Sequence, residues 1–212
     1  MISDRAFAAL IAAAYTDSPR WTYADTRACY AEVDGLAVVT IPGTDPESVA
    51  NWLRDLDAAP FEHPQLGTLH RGFYEGGLGL YQQVRTDLAG HPWAVGGHSL
   101  GGAEALICAA LGVLDDWAPV RCVALAPARA GFATLRNILR TVAPAVYRLG
   151  RDLVPDVPIG FALAVDAWHQ VGVTTGDPIA DHSVDRYVRA LEQEEPADDP
   201  SASRSEVDSA SA

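Results

Sequence analysis

Residues 97 to 101 read Gly97-His98-Ser99-Leu100-Gly101, a serine flanked two positions away on each side by glycine. A chain with 18 glycines can produce this spacing by chance, so its context decides what it means. An apolar run, "PWAVGG", leads directly into it, and "AEALICAALGVL" leads directly out. Strand, sharp turn, helix is the setting in which a serine is presented as a nucleophile, with small neighbours relieving the crowding of a strained turn. A helix beginning at Leu100 also aims its free amide hydrogens and positive dipole end at the space beside Ser99. Charge forming on a tetrahedral intermediate there is stabilised. The competing reading is a structural glycine-rich bend.

A serine hydroxyl is a weak nucleophile at neutral pH and needs a base, which in turn needs an acid to orient it. In folds that present serine on such a turn, the acid and then the histidine follow it in the chain. Of the histidines, only His169 and His182 lie beyond the turn with room for an acid between. His169 sits in an apolar, strand-like run, "DAWHQVG". His182 stands in "GDPIADHSVDRYV", a loop before a helix, where catalytic groups are more often carried. For the acid, Asp152 directly follows the strand-like "AVYRLG", at the end where open α/β sheets build their sites. Asp156, Asp166 and Asp177 are the alternatives.

The elements needed to position these groups are legible in the hydrophobic pattern. "ACYAEV" and "LAVVTI" flank Asp34-Gly35 and predict a hairpin. "PESVANWLRDLDAA" has Pro46 placed for a helix start, with Val49, Trp52, Leu53 and Leu56 at helical spacing. A helix is expected over residues 73–89 and strands over "PWAVGG", "VRCVALAPA", "AVYRLG" and 168–172. Helices are expected over "AEALICAALGVL", "FATLRNILRTV" and 183–192. Strands alternating with helices imply an α/β chain, with a mostly parallel central sheet covered on both faces, entered by an N-terminal helix and an antiparallel hairpin.

Composition narrows the partners. The net charge is −13, and all 15 basic residues are arginine. Residues 194–212 hold six acids and one arginine, so −5 belongs to that stretch and −8 to residues 1–193. The reading is one domain over 1–193 and an acidic, disordered tail over 194–212. No basic footprint for nucleic acid or anionic lipid exists, which favours a neutral or cationic substrate. Cys29, Cys108 and Cys122 lie in apolar segments without metal-type spacing and read as buried thiols, with one disulfide plus a spare thiol as the alternative. At the N-terminus Asp4 offsets Arg5, and Ser3 with Asp4 suits a helix cap, so the apolar run Ala6 to Tyr15 reads as a helix rather than a signal core. Cytoplasmic residence is the expectation, with secretion as the alternative. No run is long enough for a transmembrane segment.

Taken in order, several blocks resemble the class 3, or fungal-type, lipases of the α/β-hydrolase fold. These are "VVTIPGTDPESVANWLRDL", "LHRGFY", "GGHSLGGAEA", "APARAGF", "RDLVPDVP" and "DHSVDRYV", spread from about Leu36 to Val188. The resemblance implies a Ser99, Asp152, His182 triad, and an oxyanion hole in which Thr44 joins the Leu100 amide. It also implies that the helix carrying Val49, Trp52, Leu53 and Leu56 is a lid, touching a lipid interface transiently with its apolar face; permanent burial of that face is the other reading. His70, in a family segment, reads as structural. The chain departs from the family in carrying Pro42 where an arginine usually precedes the Gly-Thr pair. The implied activity is hydrolysis of an acylglycerol or related lipid ester through an acyl-enzyme, needing no metal or organic cofactor. Phospholipase A1 action, acyl transfer to another alcohol, action on polysaccharide-linked esters and a non-catalytic lipid-binding module are the rivals.

Overall fold

A computed structural model of the chain describes residues 2–44 and 59–194. Helix α1 (Asp4–Ala13) starts where the Ser3 hydroxyl accepts the Ala6 amide at 3.2 Å, as the cap pattern predicts. Asp4 does more than favour the helix start: it pairs with Arg121 and accepts the Tyr147 hydroxyl, pinning α1 across the sheet. A short strand β1 (Trp21–Tyr23) follows and pairs antiparallel with β2 (Thr26–Val33). The predicted hairpin joins β2 to β3 (Leu36–Ile41), turning at Asp34 (φ 52°) and Gly35 (φ 76°). Both central residues are left-handed, which matches the twist of the flanking strands.

Beyond the undescribed stretch, β4 (Pro60–His63) and β5 (Gly67–His70) form a separate two-stranded hairpin. Helix α2 (Arg71–Asp87) then leads to β6 (Trp93–His98), α3 (Leu100–Leu114) and β7 (Arg121–Leu125). Helix α4 (Ala133–Leu139) is shorter than its sequence pattern, and β8 (Ala145–Leu149) ends just before the Asp152 loop. Last come β9 (His169–Val171), the single turn α5 (Pro178–Asp181) and α6 (Val184–Glu194). The principal sheet has the order β1-β2-β3-β6-β7-β8-β9, parallel from β3 through β9.

Side chains alternate across this sheet with the strand period of two. Val39, Val95 and Ala124 face one core, with α2 and α3. Val38, Ala94 and Val123 face another, against Phe7 and Ile11 of α1 and Tyr187 and Leu191 of α6. Helix α3 is buried along nearly its whole length, so its apolar residues run all round rather than along one stripe. Cys29, Cys108 and Cys122 are buried free thiols, as expected. Among the described residues no helix is long and apolar enough to cross a membrane.

The carboxyl ends of β6 and β8, and the loop between β9 and α6, meet at one edge of this layered body. Ser99, Asp152 and His182 stand on those three segments.

Candidate active site

Ser99 occupies the one residue between β6 and α3, at φ 60° and ψ −125°. That left-handed region is unfavourable for a residue with a Cβ, so the surroundings hold it there. Its amide donates to the Leu125 carbonyl at 3.0 Å, and its carbonyl accepts the Gly102 and Ala103 amides at 3.1 and 3.2 Å. A Cβ at Gly97 would lie 2.2 Å from the Gly101 oxygen, and one at Gly101 would lie 2.3 Å from the Ile41 oxygen. The two glycines of the motif are therefore required by close backbone approach. Although serine is a favoured helix cap, the Ser99 side chain caps nothing in α3, which leaves its hydroxyl for another partner.

That partner is His182. Its Nε2 lies 2.8 Å from Ser99 Oγ, and its Nδ1 lies 2.8 Å from Asp152 Oδ2. A carboxylate only accepts, so Nδ1 carries the hydrogen and Nε2 is left to accept the serine proton. All three side chains are buried, Asp152 completely. The Asp152 carboxylate is further held by the Val154 amide at 2.9 Å on Oδ1 and the Tyr187 hydroxyl at 2.8 Å on Oδ2. Tyr187 in turn accepts the Leu149 amide at 2.8 Å. Burial, followed by the nearby Asp152 charge, drives the Tyr187 phenol well above its ordinary value, so it stays a donor.

Two more supports surround the set. Asp181, next to His182, is fully buried and accepts from the Arg151 amide (2.9 Å), the Thr174 hydroxyl (2.5 Å) and the Thr175 amide and hydroxyl (2.8 Å each). Burial opposes its charge, but these hydrogen bonds outweigh the burial and hold the carboxyl well below the usual range. On the other side, the His98 ring stacks on His182 with centroids 4.5 Å apart. Burial, then the neighbouring His182, holds His98 well below its ordinary pKa, so it is neutral. Tyr15 lies 2.6 Å from His98 Nδ1 and accepts the Gly43 amide at 2.9 Å. A Cβ on Gly43 would fall 2.7 Å from the Ser99 Cβ, so the Gly43-Thr44 turn lies directly against the serine.

The rejected acids have other work. Asp156 pairs with Arg129 and Arg148, Asp166 with Arg136 and Arg140, and Asp177 caps α5. His169 is exposed on β9 against Tyr147 and does not join the cluster. His70 caps α2 through Nδ1 and packs on Phe73, a structural placement. Thr44 and Leu100 line the same cavity, of about 1130 Å³, with Gly43, which packs on Ser99; the triad side chains are not among its described lining residues. As the first residue of α3, Leu100 has an amide its own helix leaves unpaired. Val49, Trp52, Leu53 and Leu56 lie outside the described residues. Tyr187, Asp181, Tyr15 and His98 went unassigned in the sequence. Only Asp181 and His98 carried a signal, by adjoining His182 and Ser99.

With this geometry in hand, comparison with known proteins is direct. Residues 38–161 match the family model described as lipase (class 3). The chain belongs to the class 3 lipases. A lipase of Rhizomucor miehei is 36% identical over 98 residues, which are 40% of this chain and 26% of that protein. A chloroplastic phospholipase A1 of Arabidopsis thaliana, PLIP2, is 37% identical over 78 residues, 32% of this chain and 11% of the relative. The matches thus span about a quarter or less of these curated relatives. Among solved structures, the triacylglyceride lipase of Rhizomucor miehei aligns with a TM-score of 0.58 at 22% identity, over 73% of this chain and 72% of that one. The MDLA protein of Penicillium cyclopium, an N225Q mutant, aligns with a TM-score of 0.61 at 19% identity, over 82% and 78%. These likenesses establish the α/β-hydrolase architecture of this class 3 lipase chain.

Proposed function

We propose that this class 3 lipase chain is a serine carboxylic-ester hydrolase that cleaves acylglycerols or related neutral lipid esters. The observation that carries the reading is the unbroken hydrogen-bonded line from Ser99 through His182 to Asp152. In the forward step Ser99 Oγ attacks the ester carbonyl carbon as His182 Nε2 takes its proton. Asp152 keeps the imidazole in the productive tautomer and stabilises the imidazolium. The oxyanion is received by the Leu100 amide and by the Thr44 amide and hydroxyl, each donor contributing about 3 kcal/mol to the transition state. The carbon–oxygen bond of the ester breaks, and the alcohol leaves with the proton from His182. Water then attacks the acyl-enzyme by the same proton route and releases the acid.

The cavity beside Ser99 supports a neutral substrate. Among its described lining residues Asp25, Glu75, Glu104 and Asp185 are acidic and Arg27 is the one arginine. An anionic phospholipid headgroup meets repulsion there, which places phospholipase action second. The domain covers 1–193 in this proposal, with 194–212 as its acidic tail.

Ser99→Ala tests the reading. Hydrolysis of p-nitrophenyl butyrate should fall by at least about 10⁴-fold with the melting temperature little changed, and a fluorophosphonate probe should label Ser99 in the unaltered protein. Wild-type activity in the alanine variant would overturn it.

A further inference from the structure

One group near the catalytic set is used by none of the chemistry above. Glu104 lies one turn beyond Leu100 on the same face of α3, roughly 5–6 Å along the helix. Both residues line the same cavity as Gly43 and Thr44. Glu104 is only 1% exposed, and neither of its carboxyl oxygens has a hydrogen-bond partner among the described residues. Leaving such a group buried and unpaired costs about 1–3 kcal/mol, so an unpaired carboxyl at a cavity wall calls for a partner that arrives from outside.

The surroundings leave room for the carboxyl and give it nothing. Gly76 of α2 packs against it, and a Cβ there would lie 2.2 Å from Glu104 Oε1 and 2.9 Å from Thr26 Cγ2. The Thr26 hydroxyl is committed to the Tyr23 carbonyl at 2.9 Å, and the Cys108 thiol to the Gly77 carbonyl at 3.2 Å. Arg27, on the cavity wall, donates to the Tyr15 carbonyl at 2.7 Å. Gly76 and Thr26 themselves line the cavity, so the carboxyl lies just beneath its surface.

We propose that Glu104 is a specificity-determining residue whose unpaired carboxyl receives a hydroxyl of the substrate, giving preference to esters with a free hydroxyl near the scissile carbonyl. This rests on the ester-hydrolase reading of Ser99. Burial pushes the Glu104 carboxyl well above the ordinary carboxylate range, which favours the protonated form, with one donor together with acceptor oxygens. An alcohol, which also donates and accepts, complements both. A bound hydroxyl replaces the missing partner, whereas a wholly apolar ester leaves the carboxyl as it is.

The test compares two matched pairs, p-nitrophenyl hexanoate with its ω-hydroxy analogue, and butyl hexanoate with ω-hydroxybutyl hexanoate. The pairs put the hydroxyl on the acyl and on the alcohol side. In at least one, the full chain should show kcat/KM about tenfold higher for the hydroxylated ester, one hydrogen bond's worth. Glu104→Leu should abolish that ratio, and Glu104→Gln, which keeps a donor and an acceptor, should restore part of it. Equal ratios in the wild type and the leucine variant overturn the proposal. So does a preference for an ω-ammonium ester without one for the hydroxyl. Calorimetric binding of the same pairs to Ser99→Ala protein separates the two readings. If no ester is turned over but the Glu104-dependent preference persists in binding, the hydrolase reading falls and the hydroxyl subsite stands.

Discussion

Asp181 and Glu104 are both carboxylic side chains sealed from solvent within the same domain, and they have opposite fates. Asp181 sits in a loop where four donors converge on its two oxygens, and it keeps its charge. Glu104 sits in the seam between α2 and α3, where glycine makes space without supplying a donor, and it loses its charge. Burial penalises ionisation in both, so the partners decide. The charged acid secures the backbone next to His182 by satisfying amides and hydroxyls that would otherwise be orphaned. The neutral one is a polar group held in reserve at a cavity wall.

The largest effect is expected at the carboxylate that meets His182 Nδ1, held by the Val154 amide and the Tyr187 hydroxyl. Asp152→Asn puts an amide donor against His182 Nδ1, favouring the wrong tautomer, and kcat should drop by about 10⁴-fold. Steady-state kinetics with a short p-nitrophenyl ester checks it, and a loss under tenfold would mean that Asp152 is not the orienting acid.

Next in size is Asp181→Asn, whose side-chain NH₂ must face donors. At pH 7 it should cost about 2 kcal/mol, or roughly 4–8 °C in Tm for a domain of this length. The folded pKa of Asp181 lies below the unfolded value, so its contribution is present above about pH 4 and fades as pH falls through that range. The gap between variant and wild type should therefore narrow in acid. A gap that widened on acidification would contradict the charged state assigned to Asp181.

Glu104→Gln should show the smallest effect and the opposite slope. Its folded pKa is raised, so the stability of the protonated form is complete below about pH 4.3 and is lost as pH climbs toward the folded value. Thermal melts should give a glutamine variant similar to wild type at pH 5 and a few degrees more stable at pH 8. A wild-type curve as flat as the variant's over that span would show Glu104 to be ionised and partnered.

Much of this was legible in the chain before folding. The Asp34-Gly35 hairpin, the strand-turn-helix around Ser99 and the helix after His182 follow from local rules: turn chemistry, hydrophobic period and cap residues. The strands β1, β4 and β5 were missed because three or four residues hold too little periodicity to announce a strand. Thr44 had no local signal and came only from family resemblance. Tyr187 carries no local signal either, since nothing in its neighbourhood shows that its hydroxyl meets Asp152, 35 residues away.

By itself, then, the sequence determined most of the central strands and helices, the strained turn able to present a serine, and the loop histidine able to serve it. Periodicity, turn residues and capping act over a few neighbouring positions. Only the tertiary structure showed that Asp152, the aspartate favoured by its strand-end position and by the family resemblance, is the one that faces His182, and which buried acid is met by donors. Those outcomes depend on the order in which strands pair and on which donors that order brings to each oxygen, and distance along the chain does not encode either.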